Sequence, residues 1–197
     1  MTILYVDANY AQDNNSVYHT MSEACDNAKP GDKIIIKSSN SNLTDIGDEI
    51  KCRGSLLSPI VIEGEGYFSA LHIKGQYLDI NINCDKMYLT DCLGVSILCS
   101  KVDRLHAFNV AMVTISHLTF NSIVMVNGSS NVIDSCIGKS IKLDRCEHSI
   151  LSYNQAEYVS LTGDDSKYRL GKMISNDVKE LTILNGILDI KVNENNA

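Results

Sequence analysis

The sequence has no tryptophan and only three phenylalanines, and its nine tyrosines are scattered along the chain. Ligand grooves usually present aromatic walls, so this scarcity counts against a sugar-processing groove. There is no run of Lys and Arg. With a net charge of −7 and a pI near 5.1, the chain is not expected to bind a nucleic-acid backbone, which needs clustered cations. No apolar stretch approaches the roughly 18 residues of a membrane-spanning helix. The opening "MTILYVDANY" lacks the basic and apolar regions of a secretory signal. The seven cysteines (25, 52, 84, 92, 99, 136, 146) contain no Cys-x-x-Cys pair, which removes the usual zinc and thioredoxin-like readings. Their odd number and the missing signal point to buried free thiols in a reducing compartment.

A short helix is the first feature present. Residues 16–29, "SVYHTMSEACDNAK", place Val17, Met21, Ala24, Cys25 and Ala28 on one helical face. Thr20 and Glu23 have capping-box spacing. Pro30 and Gly31 then stop the helix. Ile34, Ile35 and Ile36 form a short, wholly apolar strand.

From about residue 69 the chain repeats itself at a shift of 18. Met87, Leu105, Ile123, Ile141 and Val159 form one apolar column, and Leu89, Ala107, Met125, Leu143 and Leu161 a second. Ile97, Ile115, Ile133 and Leu151 form a third; Cys84, Val102, Phe120, Gly138, Ala156 and Ile174 form a fourth. A unit this small cannot bury its own apolar face and must stack on its neighbours. The expected fold is therefore all-β: a right-handed parallel β-helix of about 18 residues per coil with an N-terminal capping α-helix. Left-handed coils need an aliphatic residue at every sixth place, and positions 129, 135 and 147 are Ser, Ser and Glu. One domain, 1–197, is expected: lead-in and cap over 1–37, coils over 38–176, and a closing or subunit-contact segment over 177–197. Asn109 and Asn127 share a column with Asp91 and Arg145, which suggests side-chain hydrogen bonds between coils at a corner. Cys92 and Cys146 share a column three coils apart, about 14 Å at strand spacing, too far for a disulfide.

The segment "YVDANYAQDNNSVYHTMSEACDNAKPGDKIIIKS" resembles the N-terminal lead-in of right-handed parallel β-helix proteins of the pectate-lyase-like superfamily. The matching positions are Tyr5, Val6, Asp7, Asp13, Ala28, Pro30, Gly31, Asp32 and Ile34. The resemblance covers about 35 residues closely and implies a helix that caps the open end of the solenoid. It departs after Lys37, where "SSNSNLTD" replaces a "PGTY"-like turn. The superfamily spans polysaccharide lyases, glycoside hydrolases, viral tailspikes and shell proteins, so the resemblance leaves function open.

Glycoside cleavage commonly uses two carboxylates, and two pairs qualify. Glu63 and Glu65 in "IEGEG" alternate along one strand face, and Asp164 and Asp165 occupy "TGDDSKYRLGK", the longest interruption of the repeat. Each pair reads more simply as solvated surface. Asp7, Asn9, Asp13 and Asn14 could offer oxygens to calcium, although Asx turns, far commoner in such a loop, explain them more simply. No two of the five histidines share a column or stand three or four apart. The serines lack a Gly-x-Ser-x-Gly setting, and Ser96 and Val132 interrupt the threonine column an ice-binding wall would need. The sequence is thus expected to encode a structural, non-enzymatic protein without metal or cofactor. The leading expectation is a virion component, a phage capsid decoration or appendage, assembled in the host cytoplasm and acting through subunit contacts, with a homotrimer favoured. The alternative is a carbohydrate-active or glycan-binding β-helix using Asp164, Asp165, Glu63 or Glu65.

Overall fold

The structure is a computed structural model that describes residues 1–7, 16–37, 50–98, 101–165 and 168–192. The lead-in comprises β1 (Ile3–Val6), β2 (Val17–Tyr18), α1 (Met21–Asn27) and β3 (Lys33–Ile36). The body comprises β4 (Ile60–Ile73), β5 (Gln76–Thr90), β6 (Leu93–Leu98), β7 (Lys101–Phe108), β8 (Thr114–Ser116) and β9 (Thr119–Ser129). It continues through β10 (Val132–Asp134), β11 (Ile137–Glu147), β12 (Ser149–Ser152), β13 (Gln155–Thr162), β14 (Arg169–Ile174), β15 (Asp177–Leu184) and β16 (Ile187–Val192). Every pairing between named strands is parallel, and in the body each strand pairs with the equivalent strand one coil away. The result is a right-handed parallel β-helix of about seven turns.

The periodic columns are the core. Leu105 pairs with Ile123, and Ile123 with Ile141, and all three side chains are buried. The column extends backward to Leu71 and forward to Leu181. The fourth column ends differently than expected: Ala156 pairs with Val178, not Ile174. Residues 163–168 lengthen that coil, so β13 and β15 are 22 residues out of step. At the other end, β4 and β5 slip from an offset of 18 at Ile60–Leu78 to 16 at Phe68–Cys84. The bulge between Glu63 and Tyr67 absorbs the two residues, with Gly66 at φ 140°.

Corners repeat as faithfully as strands. Asp91, Asn109, Asn127 and Arg145 all have φ between 51° and 54°, the left-handed region that Asn and Asp tolerate best. Asn109 Nδ2 donates to Asp91 Oδ1 (3.2 Å), and Asn127 Nδ2 donates to Asn109 Oδ1 (3.4 Å). Inside the coil a second, buried ladder joins Asn154 to Asn176. Asn154 Nδ2 donates to Asn176 Oδ1 (2.9 Å) and to the Ile133 carbonyl (2.8 Å), while its Oδ1 accepts from the Cys136 amide (3.0 Å).

The cap is shorter than the periodicity suggests. The capping box places its start at Met21: Glu23 N donates to Thr20 Oγ1, and Thr20 N donates to Glu23 Oε2, both at 3.2 Å. Val17 is left to pair with Tyr5 in β2. Met21, Ala24 and Cys25 face the core. Cys25 is bonded to Cys52, with Cα atoms 4.9 Å apart, which corrects the expectation of free thiols throughout. The repeat could not signal this bond, because Cys25 belongs to the cap and not to a column; with it goes the thiol argument for a reducing compartment. Cys84, Cys92, Cys136 and Cys146 are buried and stand outside any disulfide. Burial pushes Cys84 up to about 12 and Cys136 and Cys146 up to about 11, so they are inert fillers. Cys99 lies outside the described residues.

Asp32 ties the lead-in together. Its carboxylate accepts from the amides of Thr2 (2.6 Å) and Lys29 (3.0 Å), and these bonds hold its pKa below the ordinary carboxylate value. A group depressed in this way stabilises the fold above its unfolded pKa, and that stability disappears as pH falls through the folded value. Asp32→Asn should therefore lower stability by about 2 kcal/mol at neutral pH. Thermal melts at successively lower pH should show the gap to wild type closing; a gap of constant size would contradict this role.

Candidate functional site

The outer face carried by β4, β5 and β7 gathers the groups most suited to a ligand. On a β-strand alternate residues point outward, so the columns between the buried ones form the exposed wall. His72 pairs with Tyr88, and Tyr88 with His106. Their rings form a ladder: His72 and Tyr88 stack with centroids 4.6 Å apart and planes 20° from parallel. Tyr88 and His106 follow at 5.6 Å and 37°. In the neighbouring outer column Lys86 lies opposite Arg104, and both are exposed. Phe108, 46% exposed, follows Thr90 in the column on the other side.

Sequence reading had scattered these residues. His72 and His106 are 34 residues apart, one step of 16 plus one of 18, so a strict 18-residue shift separates them. The expectation that no histidines share a column is therefore corrected: His72 and His106 share one, with Tyr88 between them. The signal that could have found the ladder is the glycine pair in "EGEG", which marks the shortened coil.

Tyr67 and Asp85 edge the same region, the phenol donating to the carboxylate at 2.7 Å. That hydrogen bond, with burial adding to it, pushes Tyr67 up to about 12, so it stays a donor. Arg104 Nε is 3.4 Å from Asp103, and its position opposite Lys86 still sets two cations side by side.

The carboxylates singled out in the sequence lie elsewhere. Glu63 and Glu65 each face a lysine of the lead-in, Lys33 at 2.8 Å and Lys37 at 2.7 Å. These pairs fasten β3 and the bulge of β4. Asp164 is exposed, 3.9 Å from Arg145 Nε. Asp165 lines a shallow depression of about 360 Å³ with Glu147, His148, Tyr168 and Arg169. Tyr168 there is raised to about 12, mainly by burial and then by Glu147. The two pairs are five coils apart, about 24 Å along the axis, so they do not form one site. Of the calcium candidates, Asp7 donates its amide to the Tyr18 carbonyl (2.9 Å); Asn9, Asp13 and Asn14 lie outside the described residues. Among the described residues no three His, Cys, Asp or Glu are grouped to hold a metal, and no helix is long and apolar enough to cross a membrane.

Fold and face together define a right-handed parallel β-helix with an exposed cationic and aromatic wall. No family model matches the chain, and no curated protein matches it. Among solved structures, the chain is similar to an alginate lyase from Paenibacillus sp. str. FPU-7, at 11% identity and a TM-score of 0.48, covering 96% of this chain and 99% of that one. The expectation of a non-enzymatic protein is corrected by this finding: a chain similar in fold over nearly its full length is an enzyme. The lack of a short catalytic motif gave no ground for excluding activity, since on a β-helix the reacting side chains come from successive coils and leave no local signature.

Proposed function

We propose that the protein is a carbohydrate-active β-helix that holds an acidic linear glycan against the wall of β4, β5 and β7. The observation that carries this reading is the like-charged pair Lys86 and Arg104, set in register beside the His72–Tyr88–His106 ladder. Like charges placed opposite one another repel, and an anionic ligand relieves that cost. The rings offer flat faces to sugars, one rung per coil at about 4.8 Å, a repeat that suits a polymer. The same groups can serve eliminative cleavage. A cation neutralises the sugar carboxylate, and a ring base removes the proton from the adjacent carbon. The freed electron pair becomes a carbon–carbon double bond as the glycosidic oxygen departs and takes up a proton.

Binding to alginate and polygalacturonate, with a neutral glucan as control, tests the reading. Tyr88→Ala and Arg104→Ala should each weaken binding to the acidic chain at least tenfold, about 1.4 kcal/mol, with thermal stability unchanged. Equal retention of acidic and neutral chains, or full binding by both variants, would defeat it. Cleavage would be read from unsaturated product ends and should be lost in Tyr88→Phe.

A second reading, a virion shell or appendage component held by subunit contacts, draws support from the last coil. Ile183, Leu184 and Ile187 are exposed there, Leu184 by 53%. Mass measurement in solution separates a monomer from the trimer this reading requires.

A further inference from the structure

The outward columns of the aromatic wall run on past β7. The ladder His72–Tyr88–His106 continues in register through Val124 and Lys142 to Ser160. The neighbouring column runs from Lys86 and Arg104 through Ser122 and Ser140 to Tyr158. Buried Ile141, Leu143, Val159 and Leu161 alternate with these positions, so Lys142 and Tyr158 stand on the same outer face as the ladder. Lys142 is exposed, and Tyr158 is 46% exposed.

What separates the two groups is small and uncharged. Ser122, Val124 and Ser140 are half-buried, so neither bulk nor charge interrupts a ligand lying along the axis. Lys142 is two coils beyond His106, about 10 Å, and Tyr158 is three coils beyond Arg104, about 14 Å. The acids flanking these two residues face cations of their own: Asp144 is 3.6 Å from Arg145 Nε, and Glu157 is 3.6 Å from Lys179 Nζ. Past Tyr158 the column changes sign, for its next member is the exposed Glu180.

We infer, resting on the glycan reading, that Lys142 and Tyr158 form a second contact point for the acidic chain, at the far end of one continuous face. Tyr158 offers a ring and a hydroxyl to a sugar, and Lys142 offers a point charge to a carboxylate. From His72 to Ser160 the face counts six rungs, and a sugar unit is about as long as one rung spacing. A chain held on the first three rungs presents its far end to the second point at high effective concentration. A short chain cannot reach it. Glu180 repels the carboxylate of any unit placed beyond Tyr158, so the gain with length stops there.

Calorimetric titration of the full chain with trisaccharides and hexasaccharides of alginate and of polygalacturonate tests this. Tyr88→Phe, which keeps the ring, serves for any oligomer that wild type cleaves. For the polymer that binds, the hexasaccharide should bind about tenfold more tightly than the trisaccharide, and an octasaccharide should gain little more. Lys142→Ala and Tyr158→Ala should each weaken hexasaccharide binding about fivefold, with trisaccharide binding and Tm as in wild type. The unchanged trisaccharide affinity separates lost contact from a folding defect. Equal affinity for the two lengths, or hexasaccharide binding that both variants leave intact, would overturn the second contact point while the trisaccharide still reports on the wall of β4, β5 and β7. No binding at any length would overturn both.

Discussion

Asn154→Ala should lower the stability of the protein by about 3 kcal/mol. Asn154 is almost fully buried, and its side chain satisfies the Cys136 amide, the Ile133 carbonyl and Asn176 Oδ1. Truncation leaves those backbone groups in an apolar interior without partners, and each such group costs about 1–3 kcal/mol. For a chain of this length the change amounts to roughly 6–12 °C in Tm. The exposed ladder supplies the comparison. Asn109 makes longer side-chain bonds, 3.2 and 3.4 Å, where water can replace them. Asn109→Ala should therefore cost less than about 1 kcal/mol. Chemical denaturation of both variants checks the contrast, and equal losses would show that burial does not set the value of these ladders.

Reducing the Cys25–Cys52 bond should destabilise the protein by about 3.5 kcal/mol, the loop-closure value for a separation of 27 residues. The bond joins the cap to the first coil, so its loss should be felt there before it reaches the later coils. Reductant should lower the Tm of wild type and leave that of Cys25→Ala unmoved. Alkylation of the denatured, unreduced protein should label five thiols, the seven in the sequence less the two in the bond. Labelling of all seven would disprove the bond.

The coil pattern was legible because stacking imposes a strict rule: every inward side chain must meet its like one turn later. Met87, Leu105 and Ile123 follow it without exception, and so the fold could be read from them. The cap was legible through Thr20 and Glu23, whose spacing has a direct hydrogen-bonding meaning. The wall of rings was hidden by two extra residues at the "EGEG" bulge, which moved His72 out of step with Tyr88 and His106. Outward side chains carry no packing constraint to reveal such a slip. The carboxylates that attracted notice, Glu63 and Glu65, form ion pairs with Lys33 and Lys37 instead, partners that no periodicity could indicate because the lead-in lies outside the repeat. The bond between Cys25 and Cys52 was missed for the same reason.

Parallel, in-register stacking makes the molecule modular in length. Between β7 and β13 neighbouring turns are interchangeable slabs, each joined to the next by the same offset of 18. Removing or duplicating one such block would shift everything beyond it by a single layer while leaving every remaining strand a suitable neighbour. Natural selection can thus adjust the height of the prism one storey at a time, with the capping helix and its disulfide untouched.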